Sequence, residues 1–286
     1  MNLCDCNTIR SLLERHGFRF SRSMGQNFLI DPQIPADIAA SSGADGNCGV
    51  LEIGPGIGPL TAELAQRAGK VVAVELDRTL LPVLAETMAP YPNVEILPGD
   101  VLKLNLNALV EEKFPGLTPM VCANLPYNIT TPVLEKLVDT PRLTAFTVLI
   151  QREVARRLAA PPGDRESGSF SLFLQYHMET EILFSVPPEK FFPAPKVTSA
   201  VLRCVRRSTP AVSVANEKFF FRIVRGAFLL RRKTLSNSLA AALPEYGKAA
   251  IQEAILRCGL PENVRGERLT LEDFKNLAEE LEMQKK

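Results

Sequence analysis

At 286 residues, 46% of them hydrophobic and 23% charged, the chain can bury a large core with room for one large domain and a small one, and no segment is compositionally marked as disordered. A net charge of +1 excludes a generally basic nucleic-acid binder, so an anionic partner would have to meet local basic patches. The longest apolar stretches are strand-length and broken by charge or proline, which excludes a membrane-spanning helix, and the opening Met-Asn-Leu-Cys-Asp-Cys lacks the apolar core of a secretory leader. A cytoplasmic protein is therefore expected. Cys4, Cys6, Cys48, Cys122, Cys204 and Cys258 are scattered and His16 and His177 are isolated, so reduced thiols and no metal site are expected.

In chain order, a helix is expected at residues 8–16, followed at 19–31 by a polar, basic segment with neither helix nor strand periodicity. Its arginines, the amides Gln26 and Asn27, and Phe28 suit a lid or a nucleic-acid-contacting arm; a surface loop pinned by Phe28 and Leu29 is the alternative. Asp31 and Pro32 start a second helix, and Asp45, Gly46 and Asn47 turn the chain into a strand. Val50, Leu51 and Ile53 form an apolar run broken by one acid, and Gly54, Gly56 and Gly58 follow at alternate positions, as where a buried parallel strand breaks into a tight turn. Glycines here let a ligand approach bare backbone, and the helix expected from Thr61 onward would present its free N–H groups to the same crevice.

A dinucleotide fingerprint would need glycine at position 59, where Pro59 stands, so NAD is the weaker reading. The next strand, at residues 71–74, runs into Glu75, 21 residues after Gly54, the distance at which a carboxylate meets ribose hydroxyls. A nucleoside lacking a pyrophosphate fits best, and S-adenosylmethionine is such a ligand; the stretch looks like motif I of class I methyltransferases. The alternative is a glycine turn of any α/β protein with Glu75 solvated at a strand end. A helix at 78–88 and a strand at 94–97 lead to Gly99 and Asp100, which would lie beside Glu75 and could accept an adenine amino group, or else cap a helix.

A fourth strand at 120–123 runs into Asn124, Leu125, Pro126 and Tyr127. An exocyclic amino group on a base is a poor nucleophile because its lone pair is delocalised, so a methylating site must hold it with acceptors and leave the lone pair aimed at the methyl donor. Asn124 and the Leu125 carbonyl can do this, Pro126 stiffens the turn, and Tyr127 offers a face for stacking. These four residues resemble motif IV of amino-methyltransferases, with Leu125 in place of the usual proline. After a fifth strand at 145–150, Arg152, Arg156 and Arg157 make a basic helix face that contacts phosphate or is simply solvated. Phe191 or Phe192, ahead of a proline-stiffened turn, could close over a base opposite Tyr127 or merely pack in the core.

Beyond residue 207 only helices are expected. Asn216 can cap one that carries Lys218, Arg222 and Arg225 on one face and Phe220, Val224 and Ala227 on the other. Arg231, Arg232 and Lys233 extend a run without acids from 222 to 233, which favours phosphate binding, and helices near 247–257 and 271–283 complete a small helical domain.

The motifs at 25–29, 52–58, 75–77, 99–100, 124–128, 191–201 and 230–235 together resemble, in order, those of the ribosomal RNA adenine dimethyltransferase family, and within it the bacterial small-subunit branch. The resemblance implies an α/β, class I (Rossmann-like) S-adenosylmethionine-dependent methyltransferase sheet at residues 1–207, with its N-terminal arm, and a small C-terminal all-helical RNA-binding domain at 208–286. It implies cofactor contacts at Asn27, Leu29, Gly54, Gly56, Glu75, Asp100 and Asn124, and a catalytic set of Asn124, Leu125, Pro126, Tyr127 and Phe191 in which Tyr127 and Phe191 clamp the base. RNA contacts are expected from Arg222, Arg225, Arg231, Arg232 and Lys233. The implied reaction is direct in-line methyl transfer, without a metal or a dedicated strong base, that converts two adjacent adenosines in the 3′-terminal hairpin loop of small-subunit ribosomal RNA to dimethyladenosines; the implied enzyme is a monomer acting on the immature small subunit. Gly168, Ser169, Phe170 and Ser171 stand where the family has a Leu-Ser pair. Two alternatives are a large-subunit RNA methyltransferase of the resistance type and a non-catalytic assembly or transcription factor; Glu75, Asp100 and the intact 124–127 motif argue against the latter.

Overall fold

The computed structural model of this chain describes residues 1–18 and 26–284, so the part of the expected arm at 19–25, with Gly25 of its motif, lies outside the described residues. Helix α1 (Cys6–Arg15) starts where the Asp5 carboxylate accepts the Thr8 N–H at 2.8 Å, and it buries Ile9, Leu12 and Leu13. Next come β1 (Phe28–Leu29) and α2 (Gln33–Ser41), the latter entered through an Asp31 carboxylate that accepts the Gln33 N–H. Strands then alternate with helices: β2 (Cys48–Ile53), α3 (Pro59–Ala65), β3 (Lys70–Glu75), α4 (Leu81–Thr87), β4 (Val94–Pro98), α5 (Leu106–Lys113), β5 (Thr118–Asn124), α6 (Thr130–Val138) and β6 (Ala145–Gln151). After α7 (Arg152–Ala159) and α8 (Ser169–His177) come β7 (Met178–Val186), β8 (Phe191–Phe192) and β9 (Ser199–Arg206); α9 (Glu217–Leu229), α10 (Leu235–Ala242), α11 (Lys248–Arg257) and α12 (Leu271–Met283) end the chain.

Among the described residues the strands form a seven-stranded sheet in the order β4-β3-β2-β5-β6-β9-β7. From β4 to β6 the neighbours are parallel, and β9 runs antiparallel to β6. Such strands are covered on both faces and read as continuous apolar runs; β2 is buried throughout, with Glu52 as its one charged residue. The chain leaves β2 toward β3 and β4 on one side and later fills β5 and β6 on the other, so the strand order reverses at β2. Ligands of open α/β sheets bind outside the carboxyl ends of the strands at such a point.

The segment expected to be irregular contains β1, because Phe28 and Leu29 pair antiparallel with Phe192 and Phe191 in a separate two-stranded ribbon. A single boundary at residue 207 does not describe the division of the chain. The first compact unit is Met1–Ala155 with Thr180–Arg206, and the second is Arg156–Glu179 with Arg207–Lys286. Helix α8 belongs to the second because Leu172 and Tyr176 share an apolar core with Phe220 and Phe221 of α9, Leu239 of α10, Ile251 of α11 and Phe274 of α12. The departure from the family pattern at Gly168 lies at the entry to α8, where the Ser171 hydroxyl donates to the Arg157 carbonyl at 2.6 Å and accepts the Gly168 N–H at 3.2 Å.

Candidate active site

The loop between β2 and α3 turns on three left-handed residues, Gly54, Gly56 and Gly58, with φ of 68°, 63° and 97°. Space is also tight at two of them: a Cβ on Gly56 would lie 3.0 Å from the Phe28 ring, and one on Gly58 would displace the flexible Met88 methyl. The Gly54 N–H donates to the Val74 carbonyl at 3.0 Å, which ties the loop to β3. Pro59 opens α3, a position that needs no N–H, which explains why the last dinucleotide glycine is absent here.

This loop is one wall of a crevice at the carboxyl ends of β2, β3, β4 and β5, which Asn27, Leu29, Gly54, Gly56, Glu75, Asp100, Asn124, Leu125, Pro126 and Tyr127 all line. At the end of β3, Glu75 is 6% exposed; its Oε1 accepts the Asp77 N–H at 2.8 Å and its Oε2 the Gly56 N–H at 3.4 Å. Burial raises its pKa, and these amides hold the rise back. Burial also acts on Asp77, but bonds from Thr79 and Gln26 outweigh it and the carboxyl ends below its usual range; the Gln26 amide donates at 2.8 Å. Asp100 lines the crevice and also closes a turn, accepting the Leu102 N–H at 3.0 Å; it caps no helix, since the helix that follows is capped by Asn105.

The Asn124 side-chain nitrogen donates to the Asn27 carbonyl at 3.3 Å, and the Leu125 N–H to the Leu149 carbonyl at 3.1 Å. The Pro126 carbonyl accepts from the Ile129 N–H and the Thr130 hydroxyl, each at 3.2 Å, which closes the turn that presents Tyr127. The Tyr127 hydroxyl lies 2.6 Å from the Ser199 hydroxyl on β9. Burial raises the Tyr127 pKa, with the Ser199 bond opposing it.

Phe191 does not line the crevice: it is 3% exposed and packs with Leu29, Leu149, Val186 and Val201. Phe192 is partly exposed, with the Arg10 guanidinium 5.2 Å from its ring centroid. In the second unit Arg222, Arg225, Arg231, Arg232 and Lys233 are all exposed, while Phe220, Val224 and Ala227 are buried on the opposite face of α9. Arg222 is engaged by Glu245 at 2.6 Å. Among the described residues no helix is long and apolar enough to cross a membrane, and no cluster of three or more His, Cys, Asp or Glu side chains could hold a metal ion.

Three lining or supporting residues were not among the expected cofactor or catalytic residues. Gln26 and Ser199 act through distant partners that carry no local signal. Glu52 left one, as the acid that breaks the β2 run; it lines the crevice at 1% exposure, and burial pushes its carboxyl up to about 8.

The family model described as ribosomal RNA adenine dimethylase matches residues 17–283. The protein named ribosomal RNA small subunit methyltransferase A in Alkaliphilus oremlandii is 45% identical over 274 residues, covering 95% of both chains, and its namesake in Streptococcus sanguinis is 45% identical over 285 residues, covering 98% of both. Among solved structures, the 23S rRNA methyltransferase ErmE superposes with a TM-score of 0.71 at 28% identity, over 90% of this chain and 100% of that one. A dimethyladenosine transferase from Plasmodium falciparum reaches a TM-score of 0.72 at 23% identity, over 90% and 98%, and supports the fold alone.

Proposed function

The chain belongs to the ribosomal RNA adenine dimethylase family, and from that premise we propose that its crevice holds S-adenosylmethionine and that Asn124 to Tyr127 present an adenine amino group to it. The observation that carries this reading is the convergence of Glu75, Asp100, Asn124 and Tyr127 on one crevice at the point where the strand order reverses. The residues fit the group. Gly56 leaves bare backbone where a Cβ would crowd the Phe28 ring, and Glu75 Oε2, held by a single long amide bond, retains acceptor capacity for a ribose diol. Asp100 Oδ2, which meets only the exposed Lys103 ammonium at 3.7 Å, accepts the adenine amino group.

When bound, the cofactor supplies an electrophilic methyl on a sulfonium; the rest is positioning by this chain. Because the Asn124 amide nitrogen is committed to the Asn27 carbonyl, its oxygen is left as the acceptor for the target amino group. The Leu125 carbonyl is the second acceptor, set by the closed Pro126 turn. With both amino hydrogens held, the lone pair is directed at the methyl, and the alkylated nitrogen is acidic enough to pass its proton to water or a carbonyl. Tyr127 stacks on one face of the base. Phe191 supplies the other after its ring turns out of the apolar wall beneath Leu29, a movement its burial requires.

The basic residues of the second unit, Arg222, Arg225, Arg231, Arg232 and Lys233, contact RNA phosphates, and the Arg222–Glu245 pair opens to do so. The substrate is small-subunit ribosomal RNA within the immature particle, acted on in the cytoplasm by a monomer. Two adjacent adenosines in the 3′-terminal hairpin loop each receive two methyl groups. Identity of 45% to relatives named for the small subunit, against 28% to ErmE, supports this choice of RNA. Incubation with methyl-labelled cofactor and small-subunit particles, naked small-subunit RNA or large-subunit RNA tests it. Label is expected in the small-subunit samples; label in large-subunit RNA alone would overturn the choice, and label in none would overturn the activity.

A further inference from the structure

Glu52 is the acid that the proposed chemistry does not use. It sits in the interior of β2 one residue before Ile53, is 1% exposed and lines the same crevice as Glu75, and its Oε2 has no hydrogen-bond partner among the described residues. An ionised carboxylate left in that position without a counter-charge is expensive, and the cost is avoided when the group keeps its proton. The charged and titratable groups around it add no cation. Glu75 on β3 raises the Glu52 pKa further, and the Cys122 thiol on β5 is itself pushed up, by burial first and then by Glu52. On α3 the Thr61 hydroxyl opposes the rise without bonding Oε2, and Glu63 of the same helix is paired with Arg67 at 2.8 Å. Asp100 lines the crevice as a further carboxylic side chain.

We propose that Glu52 matches the charge of the crevice to its ligand: neutral in the unliganded protein, it releases its proton to solvent as the sulfonium cofactor binds and regains one when the uncharged thioether product remains. The inference rests on the cofactor reading above. A buried acid with an unsatisfied oxygen has nothing to gain from ionising until net positive charge enters its low-dielectric surroundings, and the α-ammonium and α-carboxylate common to both ligands cancel, so only the sulfonium adds it. After transfer the sulfur is neutral, that charge is gone, and reprotonation of Glu52 from solvent removes the remaining one. Substrate and product cofactor, which differ by one methyl and one charge, are thereby told apart, and release of the product is favoured.

Calorimetric titration of the full chain with S-adenosylmethionine and, separately, S-adenosylhomocysteine, in buffers of different ionisation enthalpy between pH 6 and 7, reads the protons released; in that range the α-amino group of both ligands is protonated. Release of roughly 0.5–1 proton is expected with S-adenosylmethionine and less than half of that with S-adenosylhomocysteine, and affinity for the former should rise roughly five- to tenfold per pH unit. Glu52→Gln, isosteric with the protonated acid, should bind without proton release and with a flat pH profile. In the wild-type protein the infrared band of a protonated carboxyl should bleach on adding S-adenosylmethionine and persist with S-adenosylhomocysteine, a readout that needs no variant to fold. Equal release with both ligands, or undiminished release from Glu52→Gln, would overturn the proposal. Failure of S-adenosylmethionine to bind at all would instead remove the cofactor reading.

Discussion

The side-chain nitrogen of Asn124 and the backbone carbonyl of Asn27, 97 positions apart in the chain, lie 3.3 Å from one another, so the last residue of β5 is oriented by the residue just before β1. The bond turns the amide oxygen toward the place where a target amino group would sit. Asn124→Ala should therefore reduce both cofactor affinity and transfer, the latter by roughly a hundredfold or more, since it removes an acceptor used in the transition state. Asn124→Asp tests orientation separately: unable to donate to the Asn27 carbonyl, it should recover less than a tenth of the activity although an acceptor oxygen is restored. Single-turnover rates and calorimetric affinities together check this pair.

Glu75→Ala should weaken S-adenosylmethionine binding roughly tenfold or more while far-ultraviolet dichroism stays unchanged, because the proposed contact it removes is a charge-assisted bond to ribose at a strand end. Equal affinity in a folded variant would remove Glu75 from the cofactor site.

For the base, Tyr127→Ala and Phe191→Ala should each lower methylation roughly ten- to a hundredfold with cofactor affinity nearly unchanged, as expected for loss of one base–aromatic stack of about 1–3 kcal/mol. Phe191 carries the stricter test because its ring must leave the core, so Phe191→Ala also costs stability, read from its thermal midpoint. If Phe192→Ala abolishes transfer in folded protein and Phe191→Ala does not, the clamp uses the ring under Arg10 instead.

Replacing Arg231 and Arg232 together by Ala should lower RNA affinity and reduce the slope of log affinity against log salt by about 2, leaving cofactor binding untouched. Filter-binding titrations at several salt concentrations measure that slope. An unchanged slope would place these side chains away from phosphate.

Glu52 also predicts how stability depends on pH. Burial pushes its carboxyl up to about 8 in the folded chain, well above the ordinary carboxylate range it has when unfolded, so between the two the folded state keeps a proton that the unfolded chain has lost. Its stabilising contribution is complete below the unfolded value and is lost as pH rises through the folded one. Denaturant midpoints of the wild-type protein should thus fall from pH 5 to 8, and this component should be missing in Glu52→Gln.

That Gly54, Glu75, Asp100 and Asn124 share one crevice was legible because each ends a strand of a parallel sheet or stands within two residues of its end, and the ends of such strands meet where the order reverses. What sequence left open depends on pairings between distant segments. The ribbon that brings Phe28 and Leu29 to Phe192 and Phe191 spans more than half the chain, and it settles that Phe191 rather than Phe192 faces the core. Helix α8 looked like part of the alternating domain, yet its Tyr176 belongs to the Phe220 and Phe221 core, which no local periodicity records. The acid in β2 was visible as a break in an apolar run, but its burial follows from strands on both sides and a helix above.

The most direct test of a crevice that joins cofactor to target adenine is mass-spectrometric mapping of small-subunit RNA after exhaustive reaction with the purified protein and S-adenosylmethionine. Four methyl groups on two adjacent adenosines of the 3′-terminal hairpin loop, all on the exocyclic nitrogens and none formed by Asn124→Ala, is the predicted result. Methylation at a ring nitrogen or ribose, at another site, or undiminished in Asn124→Ala would contradict it.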